Sequence, residues 1–176
     1  GNTEVSQLMC NALLQALGIM AGSQGTMNNF VWGNDDMQNY ETICGGSGAG
    51  LNFNGCSGVQ THMTNTRSTD PEILEFRFPV RVEEMSIRVG SGGDGKFKGG
   101  DGITRRLRFL DQMTVTTLCS HRRVPPKGLN GGKNGDVGRE WIERQSGIID
   151  RHNGNDKNEL YPGDVFVMQT PSGGGF

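Results

Sequence analysis

Glycine occupies 29 of the 176 positions, more than twice the roughly 7% usual in globular chains. It is gathered into runs: "GGSGAG" (45–50), "GSGGDGKFKGGDG" (90–102), "GLNGGKNGDVG" (128–138) and "SGGG" (172–175). A residue without a Cβ permits left-handed turns and lets two backbones touch. The runs lie between apolar segments and carry no Gly-X-Y period, so they predict tight turns and close backbone packing rather than a triple helix or a disordered linker.

Between the runs the periodicity changes once. Val5, Met9, Ala12, Leu13, Ala16, Leu17 and Met20 recur at the spacing of one helix face. This predicts a helix over 3–21, with Thr3 as N-cap, Glu4 in the first turn and Gly22 past its end. Short strands are expected at 28–33 and 38–44, within a Gly- and Asn-rich stretch running to residue 72. "ILEFRFPVRVEEMSIRV" (73–89) reads as one or two strands, and further strands are expected at 103–110, 113–120, 139–142 and 164–169. The fold class is therefore α+β: one amphipathic N-terminal helix packed on a mainly antiparallel sandwich- or barrel-like region, in a single domain over 1–176.

A net charge of −2 and a pI near 5.9 give no pull toward nucleic acid or an anionic membrane. No apolar run approaches the ~20 residues of a membrane span. Cys10, Cys44, Cys56 and Cys119 form no Cys-x-x-Cys pair and read as free thiols of a cytoplasmic protein. "GNTEVSQ", without Met and entering a helix at once, reads as a piece of something longer.

Three motifs invite functional readings and fail on context. "GSGGDGKF" (90–97) matches the spacing of a phosphate loop, but Phe97 stands where Ser or Thr would bind Mg²⁺, and more turn follows where a helix should begin. "GGSGAG" has neither dinucleotide spacing nor a nucleophile elbow. His62, His121 and His152 are too scattered to predict a metal site. His121 in "SHRRVPP" reads as part of a basic turn and His152 in "DRHNGND" as a solvated loop.

Two polar segments remain. "THMTNTRSTDPE" (61–72) sets His62, Asn65, Thr66, Arg67 and Asp70 within a few residues. It is either a turn that satisfies its own backbone or one wall of a cleft, with an imidazole for proton transfer and amides and hydroxyls for orientation. "SQGTMNN" (23–29) offers Gln24, Thr26, Asn28 and Asn29, neutral groups suited equally to a loop or to a neutral polar ligand such as a cyclic amide.

Read together, "GSQGTMNNF", "YETICGGSGAG", "GVQTHMTNTRSTDPEILEFRFPV", "GSGGDGKFKGGDGITRRLRF" and "LYPGDVFVMQTPSGGGF" resemble the hydantoinase B and 5-oxoprolinase family, from Asn2 to Phe176. The resemblance implies the C-terminal portion of a B-type subunit, or of the B half of a fused enzyme, that opens a cyclic amide with hydrolysis of ATP. An A-type subunit or domain would bind ATP with Mg²⁺ and phosphorylate the amide oxygen, and the B-type part would hydrolyse the activated ring. The divalent metal of such enzymes is expected in the N-terminal half of the B-type part, so no cofactor is expected in these residues. The resemblance also admits a ketone carboxylase subunit or an assembly domain without catalytic residues.

On that reading His62, Asn65 and Asp70 are the catalytic candidates, with Gln24, Thr26, Asn28, Asn29, Thr66 and Arg67 for substrate. His121 stands where the family carries Glu, ahead of Arg122 and Arg123. The reading requires that glycine-permitted bends bring the segments after the helix and around His62 to a common cavity.

Overall fold

The computed structural model describes residues 3–176. Eleven elements follow in order: α1 (Thr3–Ala16), β1 (Asn29–Gly33), β2 (Gln38–Thr42), α2 (Pro71–Arg77), β3 (Val80–Ile87), β4 (Ile103–Phe109), β5 (Met113–Leu118), β6 (Arg139–Glu143), β7 (Ile149–His152), β8 (Lys157–Leu160) and β9 (Val165–Gln169). The strands form two antiparallel sheets, ordered β2-β1-β5-β8 and β3-β4-β9-β6-β7.

One apolar core joins the two sheets. Alternation along β1 and β5 turns Phe30, Trp32, Met113 and Val115 inward, and β4 and β9 answer with Leu107, Phe109, Phe166 and Met168. The Phe30 and Phe166 rings stack at 4.9 Å, and Trp32 meets Phe109 edge-on at 5.6 Å. A buried ion pair also crosses this core: Arg105 on β4 donates two hydrogen bonds, of 3.1 and 3.0 Å, to the Glu41 carboxylate on β2.

The glycine runs build a layer of their own. The final segment, Pro171 to Phe176, is buried along its whole length. Its backbone exchanges hydrogen bonds with all the other runs: Gly173 N–H donates to Gly100 C=O at 2.8 Å, Ala49 N–H to Gly174 C=O at 2.9 Å, and Leu129 N–H to Gly175 C=O at 3.0 Å. Backbones can come this close only where side chains are missing. A Cβ on Gly173 would lie 1.8 Å from the Ser47 carbonyl oxygen, and one on Gly100 would lie 1.9 Å from that of Cys56.

Four expectations are corrected. First, α1 ends at Ala16, and Gly18, at φ +69°, closes the turn four residues before Gly22. Second, its apolar face does not dock on the β part. Val5, Met9, Leu13 and Leu17 are 52%, 65%, 60% and 62% exposed, and the buried residues of the helix are Gln7 and Asn11. Third, residues 71–77 are helical. Asp70 Oδ1 accepts from Glu72 N–H at 2.9 Å and Pro71 opens the first turn, and these start signals outweigh the Leu74–Phe76–Phe78 alternation. Of that trio Leu74 is buried, and Phe76 is 91% exposed. Fourth, the edge strands β7 and β8 fall in a stretch expected to be loop, because their alternation is written in charged residues rather than apolar ones.

Candidate functional site

The polar face of α1 holds the two predicted segments together. Gln7 Nε2 donates toward the Thr26 carbonyl at 3.5 Å and to the Thr61 and Thr64 hydroxyls at 3.4 and 3.3 Å, while its Oε1 accepts from Met63 N–H at 2.9 Å. One turn on, Asn11 Nδ2 donates to the Ser23 carbonyl at 3.2 Å, and Oδ1 accepts from Ser23 N–H at 3.1 Å. Oδ1 also lies 2.8 Å from His62 Nε2. Segments 23–29 and 60–66 therefore meet beneath α1, each held by Gln7 and Asn11.

These contacts fix the chemistry of His62. Ser23 offers one donor and one acceptor, so the orientation of the Asn11 amide is determined and the atom facing the imidazole is an oxygen. A carbonyl-type oxygen only accepts, so His62 Nε2 carries the proton and Nδ1 keeps its lone pair. Burial lowers the His62 pKa below its ordinary value of 6.5, which favours the neutral ring, able to accept a proton. Its backbone sits at φ +51°, a conformation L residues adopt sparingly.

The other predicted residues divide by exposure. Asn65, Thr66, Arg67 and Asp70 lie on the outside of the loop. Thr66 Oγ1 contacts Thr42 Oγ1 and accepts from Gln60 Nε2 at 3.2 Å. Asp70 serves as the cap of α2. Gln24, Thr26 and Asn28 are wholly buried and bond to protein: Asn28 Nδ2 donates to Gln24 Oε1 at 2.8 Å and to the Ile43 carbonyl at 3.0 Å, and Thr26 Oγ1 accepts from Ser120 N–H at 2.9 Å. Asn29 donates to the Leu118 carbonyl and accepts from Tyr40 Oη.

Three contributors lie outside the candidate residues named from the sequence. Gln7 and Asn11 sit among apolar neighbours, and their signal was the polar stripe Glu4, Gln7, Asn11 at helical spacing, on the face opposite the apolar one. His121 is the third. Its Nδ1 lies 2.7 Å from the Val124 carbonyl and so is the protonated nitrogen of the neutral ring, and its Nε2 is buried without a hydrogen-bond partner. Gly25, at φ +62°, separates it from Asn11: a Cβ there would stand 2.5 Å from both Asn11 Nδ2 and His121 Nε2. His121 borders a cleft of about 320 Å³ with Leu8, Asn11, Gln15, Pro126 and Lys127. It also borders a larger polar depression of about 620 Å³ with Arg123, Asn153 and Asn155. Burial lowers its pKa too, against an opposing effect of the Val124 hydrogen bond.

The family model described as hydantoinase B/oxoprolinase matches residues 1–176. The chain belongs to the hydantoinase B/oxoprolinase family. A 5-oxoprolinase of Dictyostelium discoideum is 47% identical over 176 residues, which is all of this chain and 14% of that protein. The 5-oxoprolinase 1 of Arabidopsis thaliana is 44% identical over the same length, with the same coverage. The fold is similar to that of the ATP-dependent caprolactamase of Pseudomonas jessenii, with a TM-score of 0.75 and 23% identity over 94% of this chain and 31% of that one. An acetone carboxylase structure gives a TM-score of 0.72 at 19% identity, covering 89% of this chain and 26% of that one. The chain spans about a seventh of the length of these two 5-oxoprolinases.

Within this hydantoinase B/oxoprolinase segment the Gly90–Phe97 loop is tied into the glycine layer. Gly92 N–H donates to Asp101 Oδ1 at 2.7 Å, Gly93 N–H to the Gly173 carbonyl at 2.8 Å and Phe97 N–H to the Phe176 carbonyl at 2.9 Å. Among the described residues no group of three or more His, Cys, Asp or Glu side chains is arranged to hold a metal ion. Among the same residues no helix is long and apolar enough to cross a membrane.

Proposed function

We propose that this chain is the C-terminal part of the B-type portion of an ATP-dependent cyclic-amide hydrolase, of the 5-oxoprolinase or N-methylhydantoinase type. It contributes to ring opening after an A-type partner has phosphorylated the amide oxygen. The observation that carries this reading is the 47% identity to a 5-oxoprolinase along the whole of this chain. The likeness to acetone carboxylase is at the level of fold.

The chemistry asks for a base and an orienting frame. An amide is a poor electrophile, and phosphorylation of its oxygen makes the ring carbon open to water. Neutral His62, with Nε2–H tied to Asn11 and Nδ1 free of any hydrogen bond among the described residues, takes a proton from that water and returns it to the ring nitrogen as the C–N bond breaks, leaving an acyl phosphate that a second water hydrolyses to the carboxylate and inorganic phosphate. Asn65, Thr66 and Arg67, exposed on the same loop, face the ring. Gln24, Thr26, Asn28 and Asn29 act from below as the frame, and Asp70 fixes the far end of the loop by starting α2. Metal and nucleotide are held elsewhere in the complete protein, by the N-terminal half of the B-type part and by the A-type part. The protein works in the cytoplasm.

The test is turnover by the complete protein with ATP, comparing 5-oxoproline, N-methylhydantoin and a ketone with bicarbonate. ATP-dependent opening of one of the cyclic amides is the expected result. Bicarbonate-dependent carboxylation of the ketone with both cyclic amides inert would replace this reading.

A further inference from the structure

α1 is amphipathic in the opposite sense to an ordinary surface helix. Its polar residues Gln7 and Asn11 are the ones packed inside, and Glu4, its one charged residue, accepts from Met27 N–H at 2.7 Å. Val5, Met9, Leu13 and Leu17 form an outward stripe at four-residue spacing, every member more than half exposed. The stripe runs roughly 18 Å along the helix. It continues past the helix end: the bridges of Gly50 with Met20 and with Phe53 set Leu51 and Phe53, both exposed, beside exposed Ile19. A soluble surface seldom leaves so long an apolar strip open.

The character of the strip narrows what covers it. It carries no charge of either sign, and the helix has no Lys or Arg, so nothing in it would engage lipid headgroups or nucleic acid. Positions 5, 9, 13 and 17 make an i±4 ridge, which seats in the groove of a second apolar helix. The two 5-oxoprolinases carry about seven times this length of chain, and the caprolactamase that shares the fold carries about three times. We infer that the Val5–Leu17 ridge of α1 is a docking surface for an apolar helix of the same B-type polypeptide, lying outside these 176 residues. This rests on the reading of the chain as one part of a longer B-type protein.

The arrangement gives α1 two jobs at once. One face clamps His62 through Asn11 and the other packs on the remainder of the protein, so the position of the imidazole is referred to the part of the enzyme expected to hold the metal. The test is Leu13→p-benzoylphenylalanine in the complete protein, irradiated and mapped by mass spectrometry, with ATP-dependent ring opening assayed on the same preparation. A cross-link within one polypeptide, to an apolar helical segment outside residues 1–176, is the expected product. Cross-links to α1 of a second copy, to a separate subunit, or to no protein at all would each overturn the docking assignment. Loss of the functional reading shows separately, as absent ring opening whatever the cross-link.

Discussion

Asn11 Oδ1 lies 2.8 Å from His62 Nε2, joining a helix to a loop fifty-one residues later in the chain. Because Ser23 fixes which side of the Asn11 amide faces the ring, this one contact sets the tautomer of the histidine. Nitrogen-15 chemical shifts of His62 should show Nε2 protonated and Nδ1 bare. Asn11→Asp keeps an acceptor at the ring and adds negative charge, so the His62 pKa should rise, and the acid limb of a pH–activity profile should move to higher pH. Asn11→Leu removes the clamp and should leave a mixture of tautomers. An unchanged His62 spectrum in both variants would contradict the assignment.

Asn11→Ala also strips partners from the buried backbone N–H and C=O of Ser23. At about 1–3 kcal/mol for each of the two unsatisfied buried groups, the loss should be roughly 2–6 kcal/mol. In a chain of this size that corresponds to a fall in Tm of roughly 4–24 °C. Thermal unfolding followed by circular dichroism measures it.

Stability should fall as the solution is acidified through the imidazole range. Burial holds both His62 and His121 below the ordinary 6.5. The unfolded chain therefore takes up protons first, and the folded state loses ground as pH drops below about 6.5 toward the lowered folded values. Above that range the contribution is complete. Tm measured at pH 7.5 and at pH 5.5 should differ in the wild type, and the difference should shrink in His121→Gln, which removes one of the two groups.

The backbone layer sets a different kind of limit. Gly173→Ala forces a methyl group into the Ser47 carbonyl and Gly100→Ala forces one into that of Cys56. Each should lower Tm steeply or abolish folding. Gly131, at φ +94° with open space where a Cβ would go, is the control. Gly131→Asn should cost less than about 1 kcal/mol, since Asn tolerates left-handed backbone better than other side chains. Expression and melting of the three variants side by side decide it.

The buried pair of Arg105 and Glu41, both nearly inaccessible, should answer to truncation rather than to charge as such. Glu41→Ala leaves a guanidinium buried without its partner and should cost about 3–5 kcal/mol. Glu41→Leu combined with Arg105→Met removes both charges and should recover most of that loss. Urea midpoints of the single and double variants are the measurement.

What could be read in the sequence follows from where its patterns were local. Strands β1, β4, β5 and β9 announced themselves because alternation of Phe, Val, Ile and Met with polar residues reports a face directly. Segments 23–29 and 60–66 stood out as chemistry, since both carry the same neutral hydrogen-bonding groups, but the Gln7 and Asn11 side chains that join them did not. The orientation of α1 was not legible from its apolar positions. Those positions face outward here, and the inward face is marked by the sparser stripe of Glu4, Gln7 and Asn11. α2 was hidden because Leu74, Phe76 and Phe78 mimic a strand, although Asp70-Pro71-Glu72 carries a helix start. His121 reads in the sequence as part of a basic turn, because its place in the site arises from Gly25, nearly a hundred residues earlier, which leaves room for the ring against Asn11.

The claim on which the account turns is that His62, held by Asn11, moves the proton in ring opening and takes no part in activating the amide. A single-turnover experiment on the complete protein separates the two: His62→Ala is mixed with ATP and 5-oxoproline, and ADP and glutamate are followed in the same quench series. The account predicts ADP formation near the wild-type rate, with glutamate formation slowed about 10²–10⁴-fold, the usual contribution of a positioned acid–base group. Glutamate formation at the wild-type rate, or an equal loss of both products, would contradict it.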